Sequence, residues 1–319
     1  MINSFQFNIM FRINKLFDKE WYFRKFTKVI TPFISKYQLE RIELKHQISN
    51  EYQYTFGKKL HWNNPITLNE KLIWLSWYWR HPLKTLCADK FKLREYVTNT
   101  CGLPDSLLVP ILGVYNNVDD INFDSLPNEF VMKCNHGCGY NILVPDKSVL
   151  DVKSSMHTLR TWLSGVYMGG VGEIHYLDIT PHLIICEKYL PALGDSSIVD
   201  YKVHCINGNP EFVLVCYDRD ENEVAKLATF DKEWNQLYYV INEENVKIEK
   251  PKSLDRMYEY SSILSNNFPF VRVDFYDVDG IPYLGEMTFT PYGNMIDYYK
   301  DDVQISLGKK LKLPNPYKG

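Results

Sequence analysis

The chain has 319 residues, 45% hydrophobic and 24% charged, which supplies apolar material for one large or two modest domains and excludes a disordered sequence. Its formal charge of -3 argues against a general nucleic-acid binder, because no basic excess is available to displace phosphate counterions. Seven scattered cysteines, an odd number, read as reduced thiols.

The charge is uneven. Residues 1–36 carry Arg12, Lys15, Lys19, Arg24, Lys25, Lys28 and Lys36 against Asp18 and Glu20, an excess of +5 that leaves -8 for the remainder. Aromatic residues such as Phe11, Phe17, Trp21 and Phe26 are interleaved with these charges. Such a segment suits peripheral contact with an anionic membrane, or equally a surface helix packed on the protein. No apolar run approaches the roughly 20 residues that span a bilayer, and no signal-peptide core is visible. The expected location is the cytoplasm, with contact at the inner membrane face left open.

Thr67-Leu68-Asn69-Glu70 fits a capping box, opening an apolar helix that stops before His81-Pro82. A second helix is expected over 83–98, where Leu86, Phe91, Leu93, Tyr96 and Val97 recur at roughly helical spacing. From Leu107 the texture changes to short strand-like runs at 107–112, 129–133, 142–144, 182–187, 201–206, 211–217 and 270–276. Helical stretches at 153–167 and 254–265 interrupt them. This pattern predicts an α+β protein with largely antiparallel sheets behind a mostly helical first hundred residues.

Lys133 closes the strand at 129–133 and leads into Cys134-Asn135-His136-Gly137-Cys138-Gly139. A lysine followed by glycines can set a point charge and bare N–H groups around phosphate oxygens, although a plain β-turn fits as well. It is not a Walker loop, since GxxxxGK[ST] is absent. The two cysteines and His136 briefly resemble a metal loop, but no second Cys/His cluster completes four ligands. Glu187-Lys188-Tyr189-Leu190 ends a buried strand at a hinge that can face an adenine edge, or is an ordinary edge strand and turn. Asp200-Tyr201-Lys202 opens another strand, whose partner returns to Asp218-Arg219. Lys202 and Arg219 are expected at opposite ends of their strands unless the sheet curls.

In residues 270–293, alternation puts Arg272 and Asp274 on one strand face, and the turn Asp277-Val278-Asp279-Gly280 sends a second strand back with Glu286. Two carboxylates and an arginine at one strand end suit a hard cation beside an anion, and suit a salt-bridged hairpin equally well.

Taken in order, Lys133 with its glycine loop, Glu187 to Leu190, Asp200-Tyr201-Lys202, Asp218-Arg219, Arg272-Val273-Asp274 and Gly285-Glu286-Met287-Thr288 resemble the ATP-grasp superfamily, and within it the TupA-like proteins of surface-polysaccharide gene clusters. The resemblance takes in Asn69-Glu70-Lys71-Leu72 and Asp89-Lys90-Phe91-Lys92-Leu93-Arg94, covering about residues 50–315. It implies an ATP-grasp fold in which two α+β subdomains, over 106–188 and 189–319 and preceded by a helical region over 1–105, hold ATP. By it, Lys133 contacts phosphates under the loop of His136, Gly137 and Gly139. Glu187, Lys188, Tyr189 and Leu190 line the adenine pocket, Asp200 meets the ribose, and Lys202 a phosphate. Asp274, Glu286 and Thr288 hold Mg2+, while Arg272, Lys202 and Arg219 serve the transferred phosphoryl group. D-alanine–D-alanine ligases of the superfamily carry Asn where this chain has Thr288, and a further residue stands between Thr288 and Pro291, ahead of an acceptor loop of Thr290, Tyr292 and Asn294.

The activity implied is a carboxylate–amine ligase using an acyl phosphate, with a carboxylate-bearing sugar such as a uronic acid and an amino acid or other amine as partners. A sugar kinase, a glycosyltransferase using the acidic run at Asp218-Arg219-Asp220, and a non-catalytic binding protein stand as alternatives.

Overall fold

The computed structural model describes residues 23, 25–28, 36–165, 167, 169–170, 172–190, 199–219 and 224–317. Two compact units are present, residues 1–59 and 60–319. In the first, helix α1 (Lys36–Phe56) carries His46, whose ring stacks on Phe23 with centroids 3.6 Å apart. Most of the basic aromatic segment lies outside the described residues.

The second unit begins with helix α2 (Leu68–Tyr78), which opens on the expected capping box. Thr67 Oγ1 accepts from Glu70 N at 3.2 Å, and Glu70 Oε2 accepts from Thr67 N at 3.0 Å. Caps of this kind contribute about 1 kcal/mol. The single helix expected over 83–98 is broken. Helix α3 (Pro82–Ala88) ends where Asp89 Oδ1 accepts from the N–H groups of Phe91 and Lys92 at 2.9 and 3.1 Å. A local acceptor thus outcompetes the helical carbonyls, and the chain resumes as one turn at Leu93–Glu95 and a wide turn at Tyr96–Thr100.

Strands β1 (Ile111–Tyr115), β2 (Phe130–Cys134), β3 (Asn141–Val144) and β4 (Ile184–Lys188) pair antiparallel in the order β1-β4-β2-β3. The strand expected at 107–112 starts later, because Asp105–Leu107 forms a helical turn and Pro110 has no N–H for a ladder. Helix α4 (Val152–Ser164) shares a small core with this sheet through Leu159, Phe130, Met132 and Ile184.

A second antiparallel sheet holds β5 (Asp200–Ile206), β6 (Asn209–Tyr217), β7 (Lys226–Phe230), β8 (Phe270–Val278) and β9 (Ile281–Thr288), in the order β7-β6-β5-β8-β9. Strand β7 has no counterpart among the expected strands. Its short run carries little β-branched signal, and it is held by β6 together with Glu243, which accepts from Thr229 N at 2.7 Å. Helix α5 (Leu254–Ser265) packs on this sheet with Leu254, Met257 and Leu264 buried. The same large core contains Leu68, Leu72, Leu75, Tyr96 and Val97, so the early helices of this unit are built onto the second sheet. Helix α6 (Asp301–Lys310) closes against α2 at Gly308, where a Cβ would lie 2.1 Å from Ile66 O.

Candidate active site

Hairpin β8–β9 sets Asp274 opposite Glu286 and Arg272 opposite Thr288, and β5 sets Lys202 opposite Asp274. Register alone therefore delivers five polar side chains to one region of the sheet. Arg272 grips Asp274 with two bonds, Nε to Oδ1 at 2.7 Å and Nη2 to Oδ2 at 2.6 Å, while Lys202 Nζ reaches Oδ2 at 2.8 Å. Thr288 Oγ1 accepts from Arg272 Nη2 at 3.1 Å and donates to Glu286 Oε1 at 3.0 Å, which lies 3.6 Å from Arg272 Nη2. Burial alone would raise the Asp274 pKa, but the charges of Arg272 and Lys202 outweigh it and bring the carboxyl down to about 2. Burial likewise opposes the charge on Lys202, and Asp274 more than restores it, so that pKa is raised.

Lys202 and Arg219 are not at opposite ends of their strands. Antiparallel pairing of β5 with β6 places Asp200 across from Cys216, so the end of β6 returns to the start of β5. Arg219 donates to Asp200 Oδ2, and Lys202 Nζ lies 3.8 Å from the same oxygen.

On the first sheet, β2 and β4 are neighbours, and Lys133 Nζ lies 2.7 Å from Glu187 Oε2 as a charge contact rather than an aligned hydrogen bond. Lys188 is exposed, whereas Tyr189 and Leu190 are buried. The loop after Lys133 turns on Gly137 (φ +106°) and Gly139 (φ +72°), backbone conformations open mainly to glycine. Lys90 Nζ donates to Gly137 O at 2.6 Å, and the Tyr167 ring fills the space where a Gly137 Cβ would stand. His136 is buried and stacks on His182 at 3.5 Å, with Nε2 3.0 Å from Trp162 O. Burial, then the neighbouring His182, pushes its pKa down to about 4, so the ring is neutral at pH 7.

This loop and β8–β9 lie within electrostatic reach of each other. Cys138 is exposed yet crowded by neighbouring atoms. Its thiol is pushed up first by that crowding and then by the charge of Glu286. A connecting segment joins the two regions further: Glu173 Oε1 accepts from Thr290 Oγ1 at 2.8 Å, and Oε2 accepts from Gly170 N at 2.7 Å and from Tyr167 OH at 3.4 Å. A Cβ on Gly170 would lie 3.0 Å from Gly293 Cα. Beyond Thr290, Tyr292, Gly293 and Asn294 have φ of +52°, +61° and +66°, three successive left-handed residues. Such backbone strain collects at functional loops. Tyr292 is exposed, while Thr290 and Asn294 are buried.

Lys90, Tyr167 and Glu173 gained no role from sequence. Lys90 lies in the run Asp89 to Arg94, which carried the resemblance without an assignment. Glu173 sits in Gly-rich text with no periodic signal, so only its fold neighbours reveal it.

The family model described as TupA-like ATPgrasp matches residues 70–312. The chain belongs to this family. Its two antiparallel sheets with flanking helices are the ATP-grasp fold that the ordered residues foreshadowed. No curated protein matches. Among solved structures, a D-alanine–D-alanine ligase from Bacillus anthracis is 19% identical, covering 64% of this chain and 57% of the ligase at a TM-score of 0.39. The same ligase complexed with ATP is 16% identical, covering 70% and 61% at 0.42. An L-amino acid ligase from Bacillus licheniformis is 13% identical, covering 71% and 48% at 0.40. The chain thus spans about half to six-tenths of the length of these ligases. Among the described residues of this TupA-like ATP-grasp protein, no helix is long and apolar enough to cross a membrane.

Proposed function

We propose that this TupA-like ATP-grasp protein is an ATP- and Mg2+-dependent ligase that joins a carboxylate to an amine through an acyl phosphate. The observation that carries the reading is the set of buried Arg272 and Asp274 and half-buried Lys202, with Glu286 and Thr288 alongside. Two carboxylates and a hydroxyl are hard oxygen donors, and Mg2+ is ordinarily held by one or two carboxylates together with phosphate oxygens and water. The residues therefore fit that ion, although among the described residues no three His, Cys, Asp or Glu side chains cluster as a preformed metal cage. When bound, the ion would supply positive charge against the phosphates and a template for their oxygens.

The chain's own residues do the rest. Lys133 and Lys202 neutralise phosphate charge, and Arg272 steadies the group in transfer, offsetting repulsion between the attacking carboxylate and the nucleotide. Glu187, Lys188, Tyr189 and Leu190 form the adenine wall and Asp200 takes the ribose. Arg219, tied to Asp200, adds charge at that end. The Gly137–Gly139 loop excludes water from an acyl phosphate that would otherwise hydrolyse. In this arrangement residues 106–188 and 189–319 supply the two halves of the nucleotide cleft, with the helical part over 1–105 ahead of them. The carboxylate is that of a sugar, such as a uronic acid of a surface-polysaccharide precursor, and the amine an amino acid or related compound, acting in the cytoplasm.

The test is ADP release with uronic-acid sugars crossed against amines, with product analysis. Amine-dependent ADP release and an amide product support the ligase. A phosphorylated sugar formed without amine makes the protein a kinase instead, and preference for a nucleotide sugar over ATP makes it a glycosyltransferase.

A further inference from the structure

Four acidic side chains of the candidate site each have a basic partner. Asp274 pairs with Arg272 and Lys202, Asp200 with Arg219 and Lys202, Glu187 with Lys133, and Glu286 with Arg272. Glu173 is different. Among the described residues it forms no ion pair, and its recorded donors are all neutral: Thr290 Oγ1, Gly170 N and Tyr167 OH. A largely desolvated carboxylate without a counter-cation is costly, and a cationic ligand would offset that cost. Its place is specific, because it ties the segment against the glycine loop to Thr290, two residues beyond Thr288. Beside it, Gly172 packs against Asn294, whose Nδ2 donates to Ser76 Oγ at 2.9 Å while Oδ1 is buried without a partner. Two acceptors thus stand at the acceptor loop with no cation supplied by the protein.

We infer that Glu173 forms the subsite for the ammonium of the incoming amine and takes its proton before attack on the acyl phosphate. This rests on the ligase reading. An ammonium has no lone pair, so one proton passes to the Glu173 carboxylate. The freed amine then forms the C–N bond as the acyl C–O bond to phosphate breaks, and the second nitrogen proton leaves with the phosphate. The groups facing Glu173 are Tyr167 and Thr290 by hydrogen bond, with Glu286 within electrostatic reach and, around Tyr167, Cys138 and Tyr176. Burial, with a further push from Glu286, raises the Glu173 pKa and makes it a stronger base than an exposed glutamate.

The experiment compares wild type and Glu173→Gln in full-length protein with ATP, Mg2+, a panel of uronic acids, and two kinds of nucleophile. Hydroxylamine is neutral near pH 7 and needs no base, whereas alkylamines and amino acids arrive as ammonium ions. For Glu173→Gln, amide formation with ammonium substrates should fall by about 100-fold or more, with hydroxamate formation close to wild type. That loss should shrink as pH rises toward the pKa of the amine. An equal loss with both nucleophiles makes Glu173 structural and overturns the assignment, as does undiminished amide formation. A wild type that yields neither hydroxamate nor carboxylate-dependent ADP overturns the ligase reading itself, and the subsite with it.

Discussion

Replacing Asp274 by Asn should unfold the protein far more readily than replacing Glu286 by Gln, although both changes strike the proposed cation site. Asp274 is buried and neutralises two cations, Arg272 with 11% and Lys202 with 17% of their side chains exposed. Removing its charge leaves Arg272 with only Glu286 at 3.6 Å and Lys202 with only Asp200 at 3.8 Å, and breaking a buried pair in this way costs about 3–5 kcal/mol. Glu286 is 29% exposed and 3.6 Å from Arg272, and a glutamine can still accept the Thr288 hydroxyl, so its loss should cost less than about 1 kcal/mol. At roughly 2–4 °C per kcal/mol for a unit of this size, Asp274→Asn should lower Tm by about 6–20 °C and Glu286→Gln by only a few degrees. Urea unfolding followed by tryptophan fluorescence, without nucleotide or metal, measures the difference. ADP release should be lost in both variants, because the proposed ion needs both carboxylates. Equal destabilisation by the two changes, or Asp274→Asn within about 1 kcal/mol of wild type, would refute the reasoning.

Lys84 is fully buried, and burial with help from Arg80 brings its pKa down to about 7. Between that value and the ordinary lysine value the unfolded chain binds the extra proton, so the penalty is full below pH 7 and fades as pH rises. Lys84→Met should therefore be more stable than wild type, with the gain shrinking by about 2 kcal/mol from pH 7 to pH 9. Burial raises thiols such as Cys134 to about 12, so only the unfolded chain's thiols begin to titrate near this range; that contribution is common to both proteins and cancels, and a gain independent of pH would contradict the assignment. Gly137→Ala should impair nucleotide-dependent turnover more than stability, since φ of +106° and the Tyr167 ring both oppose a Cβ. Thermal unfolding beside ADP release would tell the two effects apart. Gly308→Ala should lower stability by about 1–3 kcal/mol, because its Cβ would meet rigid backbone at Ile66; a neutral result in urea would count against that packing.

Several features are local enough to be written in the chain. The capping box at Thr67, helix α5 and the hairpin carrying Arg272, Asp274 and Glu286 follow from neighbours a few residues apart, where period, cap and turn decide the backbone. The order of the site motifs was legible in the same way and placed the chain in its family. Asp89 marks the first limit: helical spacing favoured one helix over 83–98, and a side-chain acceptor broke it. Lys202 and Arg219 mark the second, since their meeting at Asp200 depends on strand direction and register between β5 and β6. Glu173 marks the third. Nothing in its sequence surroundings distinguishes it from a surface glutamate. What sets it apart is a half-buried place against Thr290 and Tyr167 without a cation among the described residues, and burial is a property of how distant segments pack. The sequence alone determined which residues carry charge and which strand face they take; the tertiary structure decided which of those charges are neutralised and which stands without a counter-ion among the described residues, because pairing acts across space between segments far apart in the chain.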